Sequence, residues 1–180
     1  MAQVNRQWRL AKRPTGMVTE DCFELVEESI PDVSDLESGQ ILVRNKYLAF
    51  EPAMRGWIED VPSYLPPVGI GEVMRASAAG EVIGSNNPDY KVGDRVSGLF
   101  GWQEYALLTP GGLTAATPVP EGLELTDPLS RLGMTSITAY FGFLDVTQPQ
   151  PGETVVVTGA AGATGSVVAQ IARIKGCRVI

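Results

Sequence analysis

The residues whose spacing points to chemistry lie in the run Gly159-Ala160-Ala161-Gly162-Ala163-Thr164-Gly165. In the glycine fingerprint of dinucleotide-binding turns, Ala160 takes the first glycine place, Gly162 the second and Gly165 the third. Small side chains at these places let a diphosphate approach the backbone and let the helix lie close to its strand. The helix start then offers unpaired N–H groups and a partial positive charge, so the chemistry implied is the holding of an anionic cofactor. The plainer alternative is a tight strand-to-helix turn that binds nothing. The context the fingerprint requires is present, with "TVVVT" before it and an apolar-faced helix after it. The acid that selects NAD, or the basic group that often accompanies NADP, is expected about 20 residues beyond the first glycine place. That count lands at or past Ile180, so these residues leave the choice between the two open.

Other chemistries are excluded by what the sequence contains. It has no histidine, which removes the usual general base, proton relay and triad member. Cys22 and Cys177 alone cannot assemble a usual structural zinc tetrad, so no metal site is predicted. Fourteen Lys and Arg against 21 Asp and Glu give a net charge of −7, which disfavours a polyanion partner such as DNA. No apolar run approaches a membrane span, and the first residues lack the apolar core of a signal peptide. The cysteines are expected as reduced thiols in a cytoplasmic protein.

These residues need elements to position them. Up to about Glu121 the signals are of strand and turn. "FELVEESI" (23–30), "QILVRNKYLAF" (40–50), "AAGEVIGS" (78–85) and "GWQEYALLT" (101–109) are strand candidates, separated by stretches dense in Asn, Pro, Asp and Gly. Their spacing predicts a compact, partly barrel-like β domain over residues 1–125. From Thr126 the pattern changes. Asp127 and Pro128 read as a helix cap and first helical position, and residues 129–146 as two helical pieces broken at Gly133. "TVVVT" (154–158) suits a strand buried on both faces, residues 166–175 a helix, and "CRVI" a second strand. Residues 126–180 are therefore expected to hold one βαβ unit of a parallel sheet.

"LGMTSITAYFGFLDV" with "GETVVVTGAAGATGSVVAQIARIKGCRVI" resembles the medium-chain dehydrogenase/reductase superfamily. "NKYLAFEPAMRGWIED", "NPDYKVGDRVSG" and "GWQEYALL" bring it nearest the zinc-independent branch of leukotriene B4 12-hydroxydehydrogenases, prostaglandin reductases and alkenal double-bond reductases. The resemblance implies an α/β chain with a GroES-like, partly open β-barrel domain on the substrate side, followed by the start of a doubly wound Rossmann sheet. It implies NADPH as cofactor and reduction of the carbon–carbon double bond of an α,β-unsaturated aldehyde or ketone, with hydride passing to the β-carbon. Family members are usually about twice as long, so this stretch is expected to carry half a cofactor site, in a protein that forms a homodimer when full length.

Residue by residue, the resemblance gives Gly162, Ala163, Thr164 and Gly165 to the pyrophosphate, and Met134 and Thr138 to the neighbourhood of the nicotinamide. Glu51 and Pro52 match a loop that meets the cofactor. Met134 can equally be helix core, and Thr138 can bond back to its own helix. Tyr47, Ala53 and Tyr64 are the substrate-side candidates, although the default for each tyrosine is a half-buried packing residue and neither is taken as a proton donor. Glu51 replaces the family's usual aspartate, and Ala53 stands where plant members carry a tyrosine. No catalytic acid or base is identified. A quinone oxidoreductase of the same superfamily and a non-catalytic interaction domain are the alternative functions. A methyltransferase is a further one, although Val157-Thr158 stands where its usual acid would precede the loop.

Overall fold

The computed structural model describes residues 4–180. The chain divides into two compact units, Met1–Leu125 and Thr126–Ile180.

The first unit is β-rich. β1 (Val4–Leu10) and β2 (Phe23–Ser29) form an antiparallel ladder with Val4 opposite Ser29 and Leu10 opposite Phe23. β3 (Ile41–Leu48), β4 (Ala78–Ser85), β5 (Arg95–Gly98), β6 (Tyr105–Leu108) and β7 (Thr117–Pro118) make an open antiparallel sheet in the order β6-β3-β4-β5-β7. α1 (Ala53–Trp57) lies in the long connection from β3 to β4. The β-branched and aliphatic run of β3 faces inward at Ile41 and Val43, which pack with Val82, Val96, Phe100 and Leu108. A second cluster gathers Leu10, Met54, Trp57, Ile58, Val68 and Met74 around α1.

β1 is an element that sequence reasoning missed, and the reason is physical. Its alternation is inverted: Asn5 and Gln7 are buried while Val4 and Trp8 are exposed. The buried amides are satisfied. Asn5 Nδ2 donates to the Tyr105 carbonyl at 2.7 Å, and the Tyr105 N–H donates to Asn5 Oδ1 at 2.9 Å. The Asn5 side chain thus hydrogen-bonds β6 as a backbone amide would. β5 and β7 were also missed, being short and set among turn residues.

The second unit opens with a single 3₁₀ turn, Asp127–Leu129, followed by α2 (Met134–Phe141) and a π-helical turn, Gly142–Thr147. β8 (Thr154–Val155), α3 (Ala163–Ile174) and β9 (Arg178–Val179) complete a parallel βαβ unit. Hydrogen bonds from Arg178 N–H to the Glu153 carbonyl, Ile180 N–H to Val155 and Val157 N–H to Ile180 carry the pairing beyond the two-residue strands. Phe143, Ala172 and Cys177 form its core, with Val155, Val168, Ile171 and Val179 against them.

Four expectations need correction here. α3 begins at Ala163, not Ser166, because Ala163, Thr164 and Gly165 already form its first turn. Asp127 does not cap a helix. Its carboxylate accepts from Arg131 Nε at 2.6 Å and a second guanidinium nitrogen at 2.8 Å, and Thr126 takes the cap position without a side-chain bond. The 154–158 run is not buried on both faces within this chain: Val155 packs in the core while Val156 is 68% exposed. Gly133 is the N-cap of α2, and a Cβ there would stand 2.5 Å from the Pro128 carbonyl oxygen; the helical piece expected before it shrinks to the 3₁₀ turn Asp127–Leu129, with residues 130–132 in a turn.

Candidate functional site

In the second unit, the chain leaves the β8 ladder at Val157 and turns at Gly159, whose φ of +67° falls in the left-handed region where a side chain is strained. The Gly162 N–H donates back to the Gly159 carbonyl at 2.9 Å and closes the turn. Gly162 is the N-cap of α3, in an extended conformation and without a side-chain cap. The first intrahelical bond is Ser166 N–H to the Gly162 carbonyl, at 2.9 Å. Among the described residues, the N–H groups of Ala163, Thr164 and Gly165 therefore have no acceptor. No acidic side chain stands in the first turn to compete for them or to repel an anion.

The last glycine of the run is fixed by sterics. A Cβ at Gly165 would lie 2.4 Å from the Gly159 oxygen and 3.0 Å from its carbonyl carbon. Gly165 thus lets the helix start close over the turn that precedes it. A Cβ at Gly162 would meet only the same oxygen, at 3.2 Å. Exposed, uncapped, free of carboxylates and narrow, this turn fits the diphosphate of a dinucleotide.

On α2, Met134 is 67% exposed at the helix start, and the buried positions are Ser136 and Ala139, so Met134 is not packed in the core of the described residues. Thr138 Oγ1 donates to the Met134 carbonyl at 2.8 Å, the back-bond that its own helix offers, and its oxygen stays free to accept. The two residues share one exposed face at an i, i+4 spacing.

In the first unit, Glu51 and Pro52 lead into α1. Pro52 is its N-cap, already in the helical region, and the Met54 N–H donates to the Glu51 carbonyl at 3.0 Å. The Glu51 carboxylate accepts from Ser77 Oγ at 2.8 Å, so the longer acid reaches across to the residue before β4. Ala53 packs against the cluster that holds Met54 and Trp57. Tyr64 is 75% exposed, and its hydroxyl oxygen accepts a hydrogen bond from Trp57 Nε1 at 3.0 Å.

Tyr47 stands apart from these. It lines a groove of about 510 Å³ with Arg6, Trp8, Asn45, Trp102 and Glu104, which neither Ala53 nor Tyr64 lines. Arg6 crosses its rim to Glu104. The guanidinium hydrogen bond holds the Glu104 carboxyl below the usual carboxylate range. Asn45 Oδ1 and Trp102 Nε1, of two further lining residues, are buried without a hydrogen-bond partner among the described residues. Trp57, Ser77, Asn45 and Trp102 had not been singled out in the sequence, because their contacts join segments that no local pattern relates. No group of three or more His, Cys, Asp or Glu among the described residues is placed to hold a metal ion. No helix of these residues is long and apolar enough to cross a membrane.

An antiparallel β unit followed in the chain by a parallel βαβ unit with an uncapped helix start defines a mixed α/β protein. Residues 6–116 match the family described as the N-terminal domain of oxidoreductase, and the chain belongs to it. It lies in the zinc-independent branch of the medium-chain dehydrogenase/reductases, and its first unit has that family's GroES-like fold.

The chain is 44% identical to the NADPH-dependent curcumin reductase of Escherichia coli (strain K12), over 99% of this chain and 50% of that protein. It is 36% identical to prostaglandin reductase 1 of Mus musculus, over 97% of this chain and 50% of that one. The crystal structure of CurA from Vibrio vulnificus in complex with NADPH superposes with a TM-score of 0.84 at 41% identity, covering 97% of this chain and 50% of that one. The chain thus spans about half the length of the relatives it matches.

Proposed function

We propose that the protein is an NADPH-dependent reductase of the carbon–carbon double bond of α,β-unsaturated aldehydes and ketones, working without zinc. The observation that carries this is the start of α3, where three unpartnered amides follow a left-handed glycine turn in a parallel βαβ unit. The names of the relatives support NADPH as the cofactor, and that of a 33% identical 2-alkenal reductase of Nicotiana tabacum supports an unsaturated carbonyl compound as the substrate class.

Gly162, Ala163, Thr164 and Gly165 hold the diphosphate: the amides donate, and the absent side chains leave room. Met134 and Thr138 serve the nicotinamide end, where the Thr138 oxygen accepts from the carboxamide. Glu51 and Pro52 serve the cofactor from the first unit, with Ser77 holding the carboxylate. Tyr47, Ala53 and Tyr64 belong to the substrate side. The bound cofactor supplies hydride to the β-carbon. The protein's own part is to fix the geometry and to stabilise the charge that develops on the carbonyl oxygen. We assign residues 1–125 to the substrate side and 126–180 to the opening of the cofactor domain.

The test is NADPH oxidation by the whole protein, offered an enone beside a quinone. Turnover of the enone, with formation of the saturated ketone, supports the assignment. Turnover of the quinone alone replaces it with a quinone reductase, and binding without any turnover replaces it with a non-catalytic interaction domain.

A further inference from the structure

Within the first unit, β6 follows β3 only as far as Arg44, opposite Tyr105. The last tie between the two paths is the Asn45 N–H on the Glu104 carbonyl at 2.8 Å. The residues before it turn to β1 instead: the Trp8 N–H donates to the Trp102 carbonyl at 2.8 Å, and the Glu104 N–H to the Arg6 carbonyl at 3.1 Å. β3 runs on to Leu48, and its register on β4 shifts between Asn45 and Tyr47, which sets Lys46 into the strand as an extra residue. The groove of about 510 Å³ is lined by both of these diverging paths. A cleft of that size, walled by aromatic side chains with a few polar groups among them, has the make-up of a small-molecule site.

Trp8, Leu25 and Tyr47 are each nearly half exposed, and all three line this one concave surface. Trp102 is held from behind by Phe23 and Phe50, with ring centres 5.2 and 5.5 Å away. Three polar groups of the lining lack partners among the described residues. Asn45 Nδ2 donates to the Gln103 carbonyl at 2.9 Å, which fixes the amide and leaves Oδ1 with no donor. The Trp102 Nε1–H has no acceptor. The exposed Lys46 ammonium forms no ion pair. Arg6 and Glu104 neutralise each other, so the charge left on the lining is positive, in a chain of net charge −7.

The ligand chemistry follows from these groups. A hydroxyl both donates and accepts, which is what Asn45 Oδ1 and Trp102 Nε1–H lack. A carboxylate answers the Lys46 ammonium, and a flat ring stacks on Trp8 and Tyr47. The two unpartnered atoms lie below the surface and Lys46 lies on it, so the hydroxyl end enters first. We propose that this groove binds a small hydroxyaryl carboxylate, with its ring against Trp8 and Tyr47, its hydroxyl at Asn45 and Trp102, and its carboxylate at Lys46. The site lies within the first unit and does not rest on the enone reductase reading.

The experiment is a titration of this chain with 4-hydroxybenzoate, read at the indole signals of its three tryptophans in ¹H–¹⁵N spectra. Those of Trp8 and Trp102 shift saturably with a Kd of roughly 0.1–1 mM, in keeping with so small a ligand. The Trp102 proton moves downfield as it gains an acceptor, whereas that of Trp57, already bonded to Tyr64, stays in place. 4-Hydroxybenzamide, without the charge, binds roughly 10-fold more weakly. Benzoate, without the hydroxyl, binds roughly 5-fold more weakly and leaves the Trp102 proton near its free position. In Lys46→Gln, a surface substitution, the acid loses its advantage over the amide. Equal binding of acid and amide by the parent, shifts confined to Trp57, or unmoved indoles at about 10 mM ligand overturn the proposal. Indoles that respond in this chain but not in the whole protein show the groove filled by the protein's own residues, and overturn it too.

Discussion

Replacing Gly165 with alanine sets two effects of known size against each other. In a helix interior, alanine is favoured over glycine by about 1 kcal/mol, and less in the first turn, so local preference alone makes Gly165→Ala mildly stabilising. The structure opposes it. The new Cβ would stand 2.4 Å from the Gly159 oxygen, where ordinary contact begins at 3.4 Å, so helix and turn must part by about 1 Å. No flexible side chain can give way, since all three contacting atoms, two of Gly159 and one of Ala160, are backbone. Overpacking of this kind costs roughly 1–3 kcal/mol, which outweighs the helical preference and leaves a net loss of roughly 1–2 kcal/mol. Gly162→Ala meets the same oxygen at 3.2 Å from an ordinary extended conformation, and because alanine caps a helix start less well than glycine it is expected to lose about 0.5–1 kcal/mol. Urea unfolding of the chain, followed by far-ultraviolet circular dichroism, measures both. Gly165→Ala as stable as the parent, or less harmful than Gly162→Ala, refutes the packing argument for the turn.

Asn5→Leu removes the amide that pairs with the backbone of Tyr105 and leaves a buried N–H and C=O without that partner. A loss of roughly 2–4 kcal/mol in the same urea assay is expected from two such groups, and a loss under about 0.5 kcal/mol would show that β1 does not depend on Asn5. Acid weakens the tie between Arg6 and Glu104. The Arg6 hydrogen bond holds the Glu104 carboxyl below its ordinary value, so the folded state binds that proton less readily than the unfolded chain. Its stabilisation is complete above the ordinary carboxylate value and is lost as pH falls through the lower folded value. Both side chains are more than a third exposed, so the effect is under about 1 kcal/mol and shrinks with salt. Glu104→Gln is expected to flatten that part of the acid unfolding profile, and an unchanged profile would contradict the pairing.

Much of the fold was legible where local rules act alone. The β-branched run of β3 and the segment "AAGEVIGS" of β4 read as strands, and the helix after Gly133 could be placed from turn chemistry. The strand-to-helix turn at Gly159–Gly165 was legible for the same reason, since Gly159 has a left-handed φ and Gly162 and Gly165 both lie against its carbonyl oxygen. β1 was not legible, because its buried residues are amides whose partners lie about a hundred positions away. Asp127 looked like a cap, but the guanidinium four residues on offered its carboxylate a better partner than backbone amides. The start of α3 was placed three residues late because glycine at Gly165 suggests loop, whereas the structure uses it inside the first turn for close approach. The bond from Trp57 to Tyr64 joins an element to an irregular loop and leaves no periodic trace.

The most direct test is an NMR titration of this chain with NADPH, with the backbone amides read one by one. Binding in fast exchange, weaker than micromolar, is expected, with the largest shifts at the amides of Ala163, Thr164 and Gly165 and a much smaller response in Gly165→Ala. Saturable binding whose shifts fall elsewhere, or unmoved amides at millimolar NADPH, would contradict the assignment of the α3 start as the diphosphate site.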